Sequence, residues 1–527
     1  MTHLPLSTFR AAGPLLAAAA FALASAPLAA QDTLAVDTVA RAASAPAPVA
    51  DEVDAPSPLI EAGHWAVRAA ARAEALGLTT HYLPAQRSVP RAAVERALRE
   101  AAERAAADRP ELAALTAGWH ARFLEEFREF RPESAWRRAA VAPLAGRWSL
   151  GGRSDEGRLS PARGLVDFRQ PAVALPDEDR AFALSEIGVG LGRFAVADVE
   201  LVGELGDGDE GLDAHRWEVA VGAGAWRLGF GEEPVGYGYG GAGGVVLSST
   251  PMPRVELQTS RPVRLPWVLS RLGDASFHTF VSRMDEARHP GDPWMWGARA
   301  SFQPHPRFTF AVNRASIFGG DSIDTPTDLE HVAQMVLGVL SDDFENQIVS
   351  LDFRWRVPGE RTLPLTLYLE WGADDANGAW WDNPAISGGA YVAAIPGLPQ
   401  VAAGVEATHV NGPWYLHSIF QGNWVRGDEV MGLDLGGEGN EGAVYARADL
   451  LDARLRLDAR GFMRDREDLG NGILNPLLPQ REGTSLGGAF DAAFRVVRQG
   501  ELRLRYLREQ GDGWHEQRVA VEAGWLF

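Results

Sequence analysis

"VSLDFRWRV" at residues 349–357 alternates without a break: Val349, Leu351, Phe353, Trp355 and Val357 share one side of an extended chain, and Ser350, Asp352, Arg354 and Arg356 share the other. Successive side chains of a strand point to opposite faces, so this stretch has one wholly apolar face and one that carries full charges. "LPLTLYLEW" (363–371) opposes Leu363, Leu365, Leu367, Leu369 and Trp371 to Thr366, Tyr368 and Glu370. "ARLRLDAR" (453–460) sets Ala453, Leu455, Leu457 and Ala459 against Arg454, Arg456, Asp458 and Arg460, and "ELRLRYL" (501–507) adds Arg503 and Arg505 to the charged side. Alternation alone is shared by soluble sandwiches and membrane barrels. The density of charge on the polar face separates them, because a barrel can turn its apolar face to lipid and keep arginines and carboxylates in its lumen.

Beyond Arg138 this two-residue period persists to the end of the chain. At about ten residues per strand plus turns, it accommodates about 18 antiparallel strands. Aromatic residues near strand ends, as in "DPWMWGARASF" (292–302) and "LYLEWGADD" (367–375), suit girdles at two membrane interfaces. The closing "RVAVEAGWLF" (518–527) reads as a last strand with Val519, Val521, Ala523, Trp525 and Phe527 toward lipid and Arg518 and Glu522 toward the lumen. Its terminal Phe527 resembles the signal read by outer-membrane assembly machinery, which is the expected partner at that residue.

The start of the chain fixes a compartment expectation. "MTHLPLSTFR" carries one arginine and leads into the apolar run "AAGPLLAAAAFALASAPLAA", which ends in small residues before Gln31, the pattern of a signal peptide cut after Ala30. No cysteine is present, which removes disulfides and thiolate metal sites. After residue 30 no run approaches the ~18 apolar residues of a spanning helix, so membrane insertion must use strands. The net charge is −20 and disfavours nucleic acid as a partner. All 50 basic residues are arginine, whose rigid fork of donors suits a hydrogen-bonded interior.

Four regions follow: a signal peptide at 1–30, a flexible Ala/Pro/Asp linker at 31–58, a periplasmic helical bundle at 59–138, and an outer-membrane barrel at 139–527. The fold class is therefore an all-β transmembrane barrel preceded by a small α-helical bundle. Three helices are expected in "EAGHWAVRAAARAEALGL", "VPRAAVERALREAAERAAADR" and "PELAALTAGWHARFLEEFREF", with Pro90 and Pro110 near helix starts and Gly77 at a helix end. Within the bundle, Trp65, Leu76, Gly77 and Arg91 resemble a single S-layer homology repeat, which implies contact with peptidoglycan. The plainer reading of those residues is an ordinary helical core.

Catalytic patterns are weak. "GTSLG" (483–487) fits G-x-S-x-G around Ser485, but its continuation alternates as a strand where a hydrolase needs a turn into a helix. "GYGYGG" (236–241) fits G-x-G-x-x-G without a following helix. The 12 histidines show no metal-binding spacing. No catalytic residue, metal or cofactor is expected, and the chain is not read as an enzyme. "EWGADDANGAWWDNPAISGG" (370–389) is a candidate glycan site, with Trp380 and Trp381 offering ring faces beside Asp374, Asp375 and Asp382. Arg354, Arg356, Arg454 and Arg456 could attract an acidic polymer from the lumen, or could be held by Asp352, Glu370, Asp458 and Glu501.

The run from Trp226 to Met284, continuing over 296–321, has a Gly- and aromatic-rich turn (Gly236–Gly241), a Leu/Ser strand (Leu247–Ser249) and a proline pair (Pro251, Pro253). A short helix ending in Leu-Gly (Trp267–Gly273) and a turn with Arg314 and Phe318–Gly320 complete the order. In this order of elements the chain resembles the Wzi-type capsule assembly proteins of the outer membrane. The resemblance extends over about residues 60 to 527, since the family also sets a helical bundle before its barrel. It implies a closed, 18-stranded barrel that retains or organises capsular or other surface polysaccharide without catalysis. Outer-membrane lipid, the polysaccharide, and peptidoglycan or periplasmic export components are the partners so implied. The alternative function is a porin or substrate-specific channel with a wall-contacting N-terminal domain.

Overall fold

The computed structural model describes residues 56–527, except 62, 81, 83–87, 135, 137–138, 157–178, 207–210, 242, 249, 285–287, 326, 338–343, 375–381, 413, 427–428 and 468–480. The expected signal peptide and most of the linker lie outside the described residues. Three helices come first: α1 (Trp65–Ala75), α2 (Arg91–Asp108) and α3 (Pro110–Glu126), with Pro110 in the first turn of α3. A small ribbon pairs Leu59–Glu61 with Ser88–Pro90 beside them.

Eighteen long strands then form one closed antiparallel barrel. The first six are β1 (Arg147–Glu156), β2 (Asp179–Leu191), β3 (Ala195–Gly206), β4 (Gly211–Ala223), β5 (Trp226–Val235) and β6 (Thr250–Thr259). β7 (Asp274–Arg283), β8 (Trp294–His305), β9 (Phe308–Phe318), β10 (Glu345–Arg356), β11 (Leu365–Asp374) and β12 (Ala385–Val392) continue the wall. β13 (Val401–Val410), β14 (Gly439–Leu450), β15 (Leu455–Arg466), β16 (Gly483–Arg495), β17 (Gly500–Gly511) and β18 (Trp514–Leu526) complete it. β18 pairs with β1 from Gln517↔Glu156 to Leu526↔Arg147, so the sheet has no free edge. At that seam Gly146 and Phe527 exchange backbone hydrogen bonds of 3.2 and 3.1 Å.

The two-residue period sorts the faces as expected. In β10, Ser350, Asp352, Arg354 and Arg356 are buried in the lumen while Phe353 and Trp355 are exposed on the wall. Val219, Leu228, Phe230, Val255, Leu367 and Val444 belong to the same outward apolar surface, which runs over many strands and is far larger than a soluble monomer tolerates. It is a lipid-facing belt. Trp148, Trp226, Trp355 and Trp525, all exposed, sit at the strand ends that meet in short turns. That end is periplasmic and the long-loop end extracellular by the geometry of outer-membrane barrels. Among the described residues no helix is long and apolar enough to cross a membrane. A fourth helix, α4 (Leu329–Leu337), lies in the long connection between β9 and β10.

Inside, many charges occur as pairs, since an unpaired ion removed from water would cost several kcal/mol. Arg464 bonds Glu441 at 2.5 Å and Glu509 at 2.8 Å, Arg518 bonds Asp155 at 2.7 Å, and Arg505 bonds Glu522 at 2.8 Å. These partners stand on different strands, so the network also sets the register of their pairing.

Candidate functional site

The three helices close the mouth of the barrel at its short-turn end. Alanines at 66, 69, 70 and 73 of α1 are fully or nearly buried, their small size letting the helix lie close to its neighbours. His64 Nε2 lies 3.0 Å from Glu126 and Trp65 Nε1 donates to the same carboxylate at 2.7 Å, so the start of α1 is tied to the end of α3. Burial opposes the charge on Glu126, yet His64 and Arg122 hold its carboxyl well below the usual range. From α1, Arg72 donates to the carbonyls of Ala393 (2.7 Å), Pro399 (2.7 Å) and Gln400 (3.2 Å) and to Asp449 (2.8 Å). From α3, Arg122 donates to Ala453 O at 2.7 Å and pairs with Glu501. The helices thus hold the backbone of the barrel's own short turns.

The extracellular side is filled by two loops that fold inward. Gly238 has φ +100°, and a Cβ on Gly244 would lie 1.9 Å from Tyr237 O, so the Gly-rich turn at 236–244 takes a path that side chains would block. This path drops Tyr237 onto His278 (2.9 Å), Gly241 N–H onto Glu406 (2.7 Å) and Val245 N–H onto Glu370 (3.1 Å). The loop spanning 411–438 covers it: Tyr415 Oη donates to Val245 O and Trp424 Nε1 to Val246 O, each at 2.8 Å. Trp414, Tyr415, Phe420, Trp424, Met431 and Leu433 bury against Val245, Val246 and Leu247 as one apolar cluster.

Between the two plugs lies a cavity of about 140 Å³, bounded by Arg68 and Arg72 of α1, Tyr239 of the inward loop, and the strand residues Arg354, Tyr368, Tyr391, Tyr445, Arg447 and Arg460. Tyr368 Oη donates to Glu406 at 2.7 Å, and Tyr391 stacks on Tyr445 with centroids 6.2 Å apart. The chamber suits water or a small anion. It is well below the ~300 Å³ at which ligand pockets begin, so it does not house a length of sugar polymer.

The residues nominated from the sequence separate accordingly. Arg354 and Arg356 do point inward, but their partner is Glu74 of α1, which neither Asp352 nor Glu370 replaces. Arg456 pairs with Glu501 at 3.3 Å and lies 5.7 Å from the Trp65 ring. Arg454 is not luminal: β15 begins at Leu455, and Arg454 sits exposed in the preceding turn, donating to the carbonyls of Arg495 and Val496. Leu451, Asp452 and Ala453 all take positive φ there, which ends the alternation one residue earlier than its pattern suggests. Asp374 is buried and accepts the Tyr415 N–H at 3.1 Å, so it anchors the inward loop. Asp382 is exposed at the extracellular rim, while Asp375, Trp380 and Trp381 lie outside the described residues.

Of the acids expected to hold the arginines, Asp352 bonds Arg299, Asp458 bonds Arg447 at 3.1 Å, and Glu501 bonds Arg456 and Arg122. Glu370 instead accepts from Ser350 at 2.7 Å. Trp65, Leu76 and Arg91 are buried core residues of the helical plug. Ser485 is the third residue of β16, donating to Glu509 at 2.6 Å. Arg72, Glu74, Tyr239, Tyr415 and Trp424 were not singled out by sequence. The Gly-Tyr alternation of 236–241 was the one local signal for them.

A lipid-facing, charge-filled barrel stoppered from both ends defines a transmembrane barrel of the outer membrane whose lumen is structural. Residues 181–514 match the model of the capsule assembly protein Wzi family, and the chain belongs to that family. No curated protein sequence matches it. Among solved structures, it is similar to Wzi of Escherichia coli at 17% identity and a TM-score of 0.64, covering 89% of this chain and 99% of that one. That protein is described as a carbohydrate-binding β-barrel involved in group 1 capsule assembly. Two Pseudomonas aeruginosa barrels are more distant. OpdL has 11% identity and a TM-score of 0.43 over 74% of this chain and 98% of its own. OprD has 13% identity and 0.41 over 73% and 94%.

Proposed function

We propose that this protein binds capsular or a related surface polysaccharide at the extracellular rim of its barrel and holds it at the cell surface, without catalysis. The observation that carries the reading is the doubly plugged lumen: with α1–α3 below and loops 236–248 and 411–438 above, the barrel offers a rigid platform and not a conduit. Family membership and the carbohydrate binding described for the Escherichia coli protein support it. The contact expected from the sequence is the segment after β11, with Trp380 and Trp381 as the residues to stack on sugar C–H groups and Asp375 and Asp382 as the acceptors of hydroxyls.

In this reading the signal peptide is removed after Ala30, Phe527 is presented to the assembly machinery, and the helical bundle faces peptidoglycan or periplasmic export components. Capsule retention in a deletion strain, with pull-down of purified protein by the strain's own polysaccharide, tests the proposal. Unchanged capsule together with no binding would sink it. Planar-bilayer conductance separates the channel alternative: a near-silent trace is expected, and steady conductance would favour a porin.

A further inference from the structure

Asp198 on β3, Glu218 on β4 and Glu233 on β5 stand on three consecutive strands of the wall. Asp198 and Glu218 are direct register partners, and Glu218 pairs with Gly231, two residues before Glu233. Alternation therefore turns all three side chains to the lumen, where one oxygen of each lies within 4.8 Å of the others. Their exposures are 6%, 2% and 2%. The cluster is not balanced locally. Arg227 is taken by Glu218 and Glu256, and Arg216 is spread over Glu61, Glu186, Glu200 and Glu233 at 3.4–3.9 Å.

Asp198 supplies the second, independent observation. Both of its oxygens are buried and neither has a hydrogen-bond partner among the described residues, and Glu233 Oε1 is in the same condition. A buried carboxylate with no partner either keeps a proton or recruits a cation, and three carboxylates converging on one point suit a single cation that all of them can share. The donors are all carboxylate oxygens, the set preferred by hard cations, and three carboxylates from separate rigid strands, completed by water, suit the adaptable six- to eight-fold shell of calcium.

We infer that Asp198, Glu218 and Glu233 form a luminal site for one calcium ion. The ion would brace β3–β5 at the point where the N-terminal ribbon docks, since Glu218 also accepts the Leu59 N–H at 2.8 Å. This proposal is independent of polysaccharide binding. Its test is calorimetric titration of calcium chloride into the full-length, chelator-stripped protein in detergent, paired with the temperature at which the heat-modifiable barrel band is lost. One calcium per chain and a higher unfolding temperature are expected for wild type and for the exposed control Asp108→Asn. Asp198→Asn and Glu233→Gln should each bind at least tenfold more weakly while still migrating as folded barrels. Wild type that takes up no calcium, or both variants binding as wild type does, overturns the inference. If one variant fails to fold, the other decides.

Discussion

Arg72→Ala should release the helical plug from the barrel. The wild-type guanidinium is 3% exposed, makes the four contacts of 2.7–3.2 Å to Ala393, Pro399, Gln400 and Asp449, and lies 5.3 Å from the Trp119 ring. Single hydrogen bonds to a charged group contribute ~1.5–3 kcal/mol. They do not add within one side chain, and breaking a buried ion pair costs ~3–5 kcal/mol as a whole. Taking about 4 kcal/mol, the undocked population rises about a thousandfold, at ~1.4 kcal/mol per factor of ten. The chain contains no lysine, so an arginine-specific protease reads the event through Arg99 and Arg104, which are 44% and 40% exposed on α2. Cleavage that requires opening tracks that population when reclosing is fast. Cutting within residues 91–126 should accelerate by orders of magnitude, with Arg72→Lys intermediate because one ammonium cannot replace the planar fork. The barrel itself should stay heat-modifiable, since none of these bonds belongs to the strand ladder. Cleavage of Arg72→Ala at the wild-type rate would refute the view that this residue latches the plug.

Gly231→Ala places a Cβ 2.1 Å from Trp217 O and 2.6 Å from Glu218 Cα, both backbone atoms that cannot yield, so folded yield in outer membranes should fall sharply. The same plug assay should show acid sensitivity. Glu126 is held well below the ordinary glutamate value of about 4.5, so the stabilisation it contributes is complete above about pH 4.5 and is lost as pH falls through the depressed value; Glu126→Gln should remove that part of the profile. Trp380→Ala with Trp381→Ala should weaken polysaccharide pull-down about tenfold without changing barrel yield, at ~1 kcal/mol or less per ring; binding equal to wild type would place the glycan contact elsewhere.

The barrel was legible because its grammar is local. In "VSLDFRWRV" each residue's face follows from its position in a two-residue period, and the charges disclose which face is sealed from lipid. The reading erred where a turn intervened: the positive φ angles at Leu451, Asp452 and Ala453 delay the start of β15 until after Arg454, and no apolar pattern encodes that. It also matched Arg354 and Arg356 to acids on neighbouring strands, because a sequence displays cross-strand partners more readily than a helix 282 residues away in the chain. Asp374 shows the same limit. Its loop-edge position suggested a sugar contact, whereas the inward fold of residue 415 uses it as an anchor.

Sequence by itself determined the closed all-β wall, its approximate strand number, the three helices and the sorting of lipid-facing from luminal residues, since all of these depend on periodicity over a few residues. Tertiary structure decided whether that wall encloses a passage. The answer depends on Arg72 reaching the turns at 393–400, on Tyr415 and Trp424 reaching Val245 and Val246, and on Asp198, Glu218 and Glu233 converging from three strands. Such contacts join residues up to hundreds of positions apart. They form only after closure of the barrel has set every strand's height and rotation, so no local pattern carries them.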